Sequence, residues 1–177
     1  MAKAKKHPKV NLIIGIIANK ENLFGNIKKY LVRKFGEIDF ESHVIDFNFT
    51  TYYEGEMGKN LKRRFLSFKN LIAPQELSDI KLYTNKLEER FSRSKNKPSR
   101  NINLDPGYVT SAKLVLVTAK DYFHRIYLNR GIFAEITLFF KEGSFQPFNW
   151  TYPDYKTKEY IDIFNQIRNL YIKKSYE

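Results

Sequence analysis

Val10-Asn11-Leu12-Ile13-Ile14-Gly15-Ile16-Ile17-Ala18 is apolar at nearly every position. A half-buried strand alternates apolar with polar residues, whereas an unbroken β-branched run of this length marks a strand covered on both faces. The stretch therefore predicts the centre of a sheet with layers packed on it. Upstream, residues 1–9 form a basic arm, Met1-Ala2-Lys3-Ala4-Lys5-Lys6-His7-Pro8-Lys9, expected to be disordered. Pro8, Lys9 and Asn11 interrupt any secretory signal core. Residues 10–177 are expected to form one domain.

Downstream, Asn19 is placed as an N-cap. Leu23, Ile27, Tyr30, Leu31 and Phe35 then recur at helical spacing, and Gly36 follows as a stop. Phe40 to Phe49 reads as a second strand, Thr50 to Asn60 as a polar loop, and Arg64 to Lys69 as a third strand. Pro74 suits the first turn of a second helix, with Leu77, Ile80, Thr84, Leu87 and Phe91 on one stripe. After the basic loop Arg93–Arg100, Ile102 to Leu104 reads as a fourth strand running into a turn at Asp105-Pro106-Gly107. The order βαββαβ is that of a ferredoxin-like unit.

More sheet follows. Leu114 to Thr118 is a further strand, and Asp121–Leu128 and Ile132–Phe140 flank a hairpin loop, Asn129-Arg130-Gly131. Pairing Tyr127 with Phe133 continues to Arg125 opposite Glu135. It puts His124, Ile126, Leu128, Ile132, Ala134, Ile136 and Leu138 on the core face. Phe123, Arg125, Tyr127 and Phe133 then share the other face, which reads either as an aromatic and basic platform of the kind on which RNA bases stack or as a second apolar face packed under a helix. A C-terminal helix carrying Tyr160, Ile163, Phe164, Ile167 and Tyr171 completes the expected fold. It is an α+β single domain, a mixed β-sheet with helices packed on it, whose βαββαβ core is extended by the hairpin and helix.

The chain of 177 residues has no cysteine, so disulfides and thiolate chemistry are excluded. No apolar run reaches the ~18 residues of a membrane span, and a soluble, cytoplasmic protein is expected. A net charge of +12 has two readings. One is a polyanionic partner such as RNA, a nucleotide or another phosphorylated ligand. The other is a lysine-rich composition without functional meaning. The phosphate-loop, dinucleotide-binding, zinc-protease and nucleophile-elbow motifs are all missing.

Several residues carry candidate chemistry. Asp105 at its expected turn is either a catalytic or cation-binding carboxylate or a turn-capping one. His124 is a proton carrier or a hydrogen-bonded core residue. The loop Thr51-Tyr52-Tyr53-Glu54-Gly55-Glu56-Met57-Gly58 offers a substrate lid or oxygen ligands for a hard cation such as magnesium. Lys81, Asn85 and Glu88 share a polar helix stripe. Trp150-Thr151-Tyr152-Pro153-Asp154-Tyr155 is an aromatic cluster that either lines a cleft or plugs the core.

Five of these segments together resemble the prokaryotic domain-of-unknown-function family 4416. They are Asp46–Glu54 with Glu56-Met57-Gly58, Ile80–Glu88, Asn103-Leu104-Asp105-Pro106-Gly107-Tyr108, Lys120-Asp121 with His124-Arg125-Ile126-Tyr127, and Trp150–Tyr155. The resemblance spans about residues 10–172 and implies no established reaction. It does imply that the polar motif residues gather into one cleft: Tyr52, Tyr53, Glu56, Lys81, Asn85, Glu88, Asp105, Tyr108, Lys120, Asp121, His124 and Arg125. Three functions are weighed. The first is a nucleic-acid- or nucleotide-binding protein with phosphate contacts from Lys120 and Arg125 and stacking by Tyr52, Tyr53 or Tyr127. The second is an enzyme on a phosphorylated or nucleotide substrate using Asp105, Glu56 and His124. The third is a protein–protein adaptor built on the Trp150–Tyr155 cluster.

Overall fold

A computed structural model describes Met1, residues 3–92 and residues 100–176 of the protein. Apart from Arg100, the basic loop expected at Arg93–Arg100 lies outside the described residues. Strand β1 (Val10–Ala18) is buried at every position, as its composition demands. Its even-numbered residues Leu12, Ile14, Ile16 and Ala18 pack under α1 (Asn22–Phe35) and α3 (Leu77–Arg90) through Phe24, Ile27, Leu31, Ile80 and Leu87. On the opposite face Ile13 joins Phe65, Tyr155, Tyr160, Ile163, Phe164 and Ile167, the last five from the segment ending in α4 (Lys158–Tyr176). The sheet is thus sandwiched between two helical layers, which is why the opening strand shows no alternation.

Neighbouring strands are β2 (Ile38–Glu41), β3 (Ile45–Asp46), β4 (Lys62–Ile72), β5 (Ile102–Val109) and β6 (Lys113–Thr118), then β7 (Ile126–Asn129), β8 (Ile132–Lys141) and β9 (Ser144–Pro147). Among the described residues they form one sheet ordered β2-β4-β1-β5-β6-β8-β7, with β3 on β4 and β9 on β8. The first four positions reproduce the ferredoxin-like order, with α1 and α3 on one face. Every pairing is antiparallel, where the sequence suggests a mixed sheet. The reason is that each helical crossover skips one position, and the strand filling the gap runs the opposite way.

Local departures have local causes. The second expected strand is broken into β2 and β3, because Ser42 turns its hydroxyl to accept from the Phe65 N–H. The expected loop Thr50–Asn60 contains the short helix α2 (Glu54–Met57). Asn19 does not cap α1; its amide donates to the Met57 carbonyl at 2.8 Å. The β7–β8 hairpin keeps the Tyr127–Phe133 and Ile126–Ala134 pairs, but β7 starts at Ile126 rather than Asp121. An irregularity opposite Leu114/Val115 inserts Thr137 into β8, so Glu135, Thr137 and Leu138 are all buried while Ile136 is exposed. The simple alternation expected from the sequence fails there for that reason. The expected core positions Ile126 and Leu128 lie exposed on the edge strand β7.

The turn expected at Asp105-Pro106-Gly107 does not exist; β5 runs straight through it. Gly107 is there for close approach, since a Cβ would sit 2.3 Å from the Val115 carbonyl oxygen on β6. Pro106 ends the ladder. Tyr108 pairs with Val115, the Thr110 N–H donates to the Lys113 carbonyl, and Leu104 turns both its N–H and C=O away from β1, so even-numbered residues of β5 point their backbone groups towards β6. Pro106 has no N–H to offer there, and the β5–β6 pairing stops at Gly107–Leu116. Beyond that point the two strands part.

Candidate functional site: a cleft where β5 and β6 separate

The parted strands open a cleft of about 1470 Å³. The gap lets both helical layers contribute, α3 from one face and the Pro153–Tyr155 segment from the other. The exposed backbone of Leu104 is satisfied by α3. Its N–H donates to Glu88 Oε1 at 2.7 Å and its carbonyl accepts from Lys81 Nζ at 2.8 Å. Lys81 and Glu88 lie 3.9 Å apart and both are buried, so the polar helix stripe replaces a missing strand. Burial lifts Glu88 above its usual carboxylate range, against the pull of Lys81.

On the other face Arg63, a residue that no sequence motif marks, organises the wall. Its side chain is 3% exposed and its guanidinium donates to Asp105 Oδ2 at 2.8 Å and to Asp154 Oδ2 at 3.1 Å. Phe47, Phe65 and Tyr155 surround it with ring centroids 5.1, 5.4 and 5.7 Å away. Burial presses against its charge, but the neighbouring carboxylates and tyrosines outweigh it and its pKa stays well above the ordinary value. To reach Asp105 from β4, Arg63 must cross β1. It does so over Gly15, which pairs with Asp105 on one side and Phe65 on the other. A Cβ on Gly15 would lie 2.8 Å from Arg63 Nη1 and 3.1 Å from Phe65 Cε1.

Asp105 Oδ1 also accepts from Asn103 Nδ2 at 2.7 Å. Burial pushes its pKa up, yet Arg63 and Lys81 prevail and hold it below the ordinary carboxylate range. Asp154, on the same guanidinium, moves the other way. Burial and the charge on Asp105 raise it despite Arg63. Arg100 links this wall to the α2 loop, donating to Glu56 Oε2 at 2.6 Å, Asn103 Oδ1 at 3.0 Å and Glu88 Oε2 at 3.4 Å. Its guanidinium also lies 5.6 Å from the ring of Tyr53.

Across the mouth, the segment after β6 supplies two cations, each held by a tyrosine. Lys120 Nζ donates to the Tyr52 hydroxyl and sits 4.2 Å from that ring's centroid. Arg125 donates to the Tyr152 hydroxyl at 2.6 Å, to the Lys120 carbonyl at 2.9 Å and to Glu135 Oε2 at 2.8 Å. Burial and Glu135 push the Tyr152 phenol up to about 12 against the effect of Arg125, so it remains protonated at neutral pH.

Of the residues named from the sequence, Tyr52, Tyr53, Lys81, Asn85, Glu88, Asp105, Lys120 and Arg125 line the cleft. Glu56 stands behind Arg100 as an ion-pair partner. His124 is directed to Glu135 at 3.1 Å and stacks on Trp150 at 5.5 Å between centroids. Tyr108 packs beside the Leu77, Val115, Val117 and Ile132 cluster, and Asp121 is exposed; neither lines the cleft. Among the described residues no three His, Asp or Glu side chains gather as metal ligands. The expected RNA platform lacks its cation, since Arg125 turns inward and leaves Phe123 and Tyr127 exposed. Trp150 is stacked between Phe148 and His124 and donates to the Ile136 carbonyl. Arg63, Asn103, Arg100, Glu135, Tyr152 and Asp154 also line the cleft. Arg63 had one readable signal, a cation in alternation with Phe65 and Ser67 on an apolar strand face.

No helix among the described residues is long and apolar enough to cross a membrane. No curated protein and no solved structure matches the chain. The family model described as a domain of unknown function, DUF4416, matches residues 8–171. That span takes in β1, both crossovers, every wall of the cleft and most of α4, and the chain belongs to this family.

Proposed function

We propose that the cleft binds a nucleotide-class ligand, a planar base carrying phosphate. The observation that supports this best is the cation–tyrosine couple at the mouth, Lys120 on the ring of Tyr52, both of them exposed. A phosphate takes hydrogen bonds from ammonium and guanidinium groups, and a base stacks on a tyrosine ring that is already on the surface. Tyr52 is 59% exposed. Among the described residues Lys86, Arg90 and Lys120 line the cleft without a carboxylate partner, whereas Arg63, Lys81, Arg100 and Arg125 each have one. Charge for a ligand anion is therefore available at the rim, and the interior cations are occupied. At about 1470 Å³ the cleft exceeds the ~300–1,000 Å³ of ordinary small-molecule sites, room enough for a nucleotide or a short single strand.

Titration calorimetry of the purified chain with AMP, ADP, GMP and a short oligouridylate tests the proposal. Lys120→Ala and Tyr52→Ala should each weaken binding by about 1–3 kcal/mol. Failure of every phosphorylated probe to bind at millimolar concentration, or unchanged affinity in both variants, would overturn it.

A further inference from the structure

Asp105 is an ionised side chain on the cleft wall with unused acceptor capacity. Its side chain keeps 25% of its exposure, and it is among the cleft-lining residues. Each of its oxygens takes one hydrogen bond from the protein, Oδ1 from Asn103 and Oδ2 from Arg63. A carboxylate has about four acceptor positions, so roughly half remain for a ligand. Both protein bonds also fix its orientation, so a partner arriving from the cleft meets a group that needs no ordering.

We infer that Asp105 receives a vicinal pair of sugar hydroxyls, so that the ligand of this cleft is a ribose phosphate rather than a phosphate on any other carrier. This rests on the reading of the cleft as a phosphate-binding site. A carboxylate suits a hydrogen-bond donor or a cation, here hydroxyls, an amine or a metal ion. Arg63 and Lys81 already act on Asp105, and Arg100 is bonded to its neighbour Asn103. A cationic amine or a metal ion would be repelled by that set, whereas neutral hydroxyls are not. Two adjacent hydroxyls use both free oxygen positions at once, much as a guanidinium fork engages a carboxylate. The cations of the cleft also differ by depth: Arg63 and Lys81 in the walls are held by Asp105 and Glu88, and among the described residues those without a carboxylate partner lie at the rim. Lys120 and Lys86 are exposed at the rim, while Asp105, Glu88 and Asp154 are set into the walls. A ligand with phosphate at one end and hydroxyls towards the other matches that arrangement.

The test compares AMP with its 2′,3′-dideoxy counterpart by calorimetry on the unaltered chain, with ribose 5-phosphate and 2-deoxyribose 5-phosphate as displacers. The dideoxy compound should bind at least about tenfold more weakly, and ribose 5-phosphate should displace AMP better than its deoxy form. Asp105→Asn should narrow the difference between the two nucleotides, and Lys120→Ala should weaken both equally. Equal affinity for AMP and dideoxy-AMP would overturn the inference and leave the phosphate reading standing. Absence of binding by all four compounds would remove both. Because the ligand pair is compared on the native protein, the result holds even if Asp105→Asn fails to fold.

Discussion

Asp105 and Asp154 share one guanidinium and are pushed in opposite directions, one below the ordinary aspartate value and one above it. For Asp105 the folded value is depressed. Its contribution to stability is therefore complete above the unfolded value and is lost as pH falls through the folded one. Asp154 has the opposite sign, favouring the folded state while protonated and losing that contribution as pH rises through its elevated value. Asp105→Asn should cost about 1–3 kcal/mol at pH 7, the range for a hydrogen bond to a charged group. Arg63 still keeps Asp154 as a partner. The gap between the two proteins should narrow as pH falls below the ordinary carboxylate range, through the depressed value at which the native carboxylate takes up its proton. Urea melts at pH 7 and pH 3 check this, and a gap of the same size at both would show that the ion pair is not its source. Little of this is legible in the chain. Asp105 stands out because it precedes Pro-Gly, yet the turn which that dipeptide implies does not form. Its partner Arg63 lies 42 positions away, and only the sheet register brings them together.

At the scale of elements, Pro106 and Gly107 have opposite effects on neighbouring strands. Gly107 lets β6 approach, and Pro106 makes it leave. Pro106→Val restores an N–H at the position facing β6. A new ladder bond is worth about 1 kcal/mol, offset by the ~0.4–1 kcal/mol of chain entropy that proline had removed. Stability should therefore change little, while the cleft narrows and nucleotide affinity falls about tenfold or more. Hydrogen exchange should show protection at the newly introduced N–H and at Val117, and unprotected amides with unchanged affinity would refute this account of the opening. Helices are the easiest elements to read. The α3 stripe of Leu77, Ile80, Thr84 and Leu87 is buried as its spacing requires. The hairpin's register follows from its loop, but its two faces do not. An inserted residue such as Thr137 leaves no mark in a period-2 pattern until the partner strand is known.

For the whole molecule, the charge of +12 belongs mostly outside the cleft, where seven lining cations face five acids, Glu88, Glu89, Asp105, Glu135 and Asp154. Nucleotide affinity should accordingly fall less than about tenfold between 50 and 200 mM salt, in contrast to the ~10³–10⁵ lost by a protein that tracks a polyanion backbone. A steep loss for oligouridylate beside a shallow one for AMP would assign the surface charge to nucleic acid and the cleft to the smaller ligand. Layering, the order of the first four strands and the central place of β1 follow from a nearly continuous apolar run and the amphipathic helices α1, α3 and α4. The cleft does not, because it depends on where two strands cease to pair. Gly15 joins these scales. In the row of side chains that β1 presents to α4 it is the one blank, and the bond from β4 to β5 passes through that blank. The middle strand is thus transparent to a contact between its neighbours. What is chemically distinctive about this sheet is owed to an atom the chain leaves out, in the very stretch that otherwise looks like nothing but core.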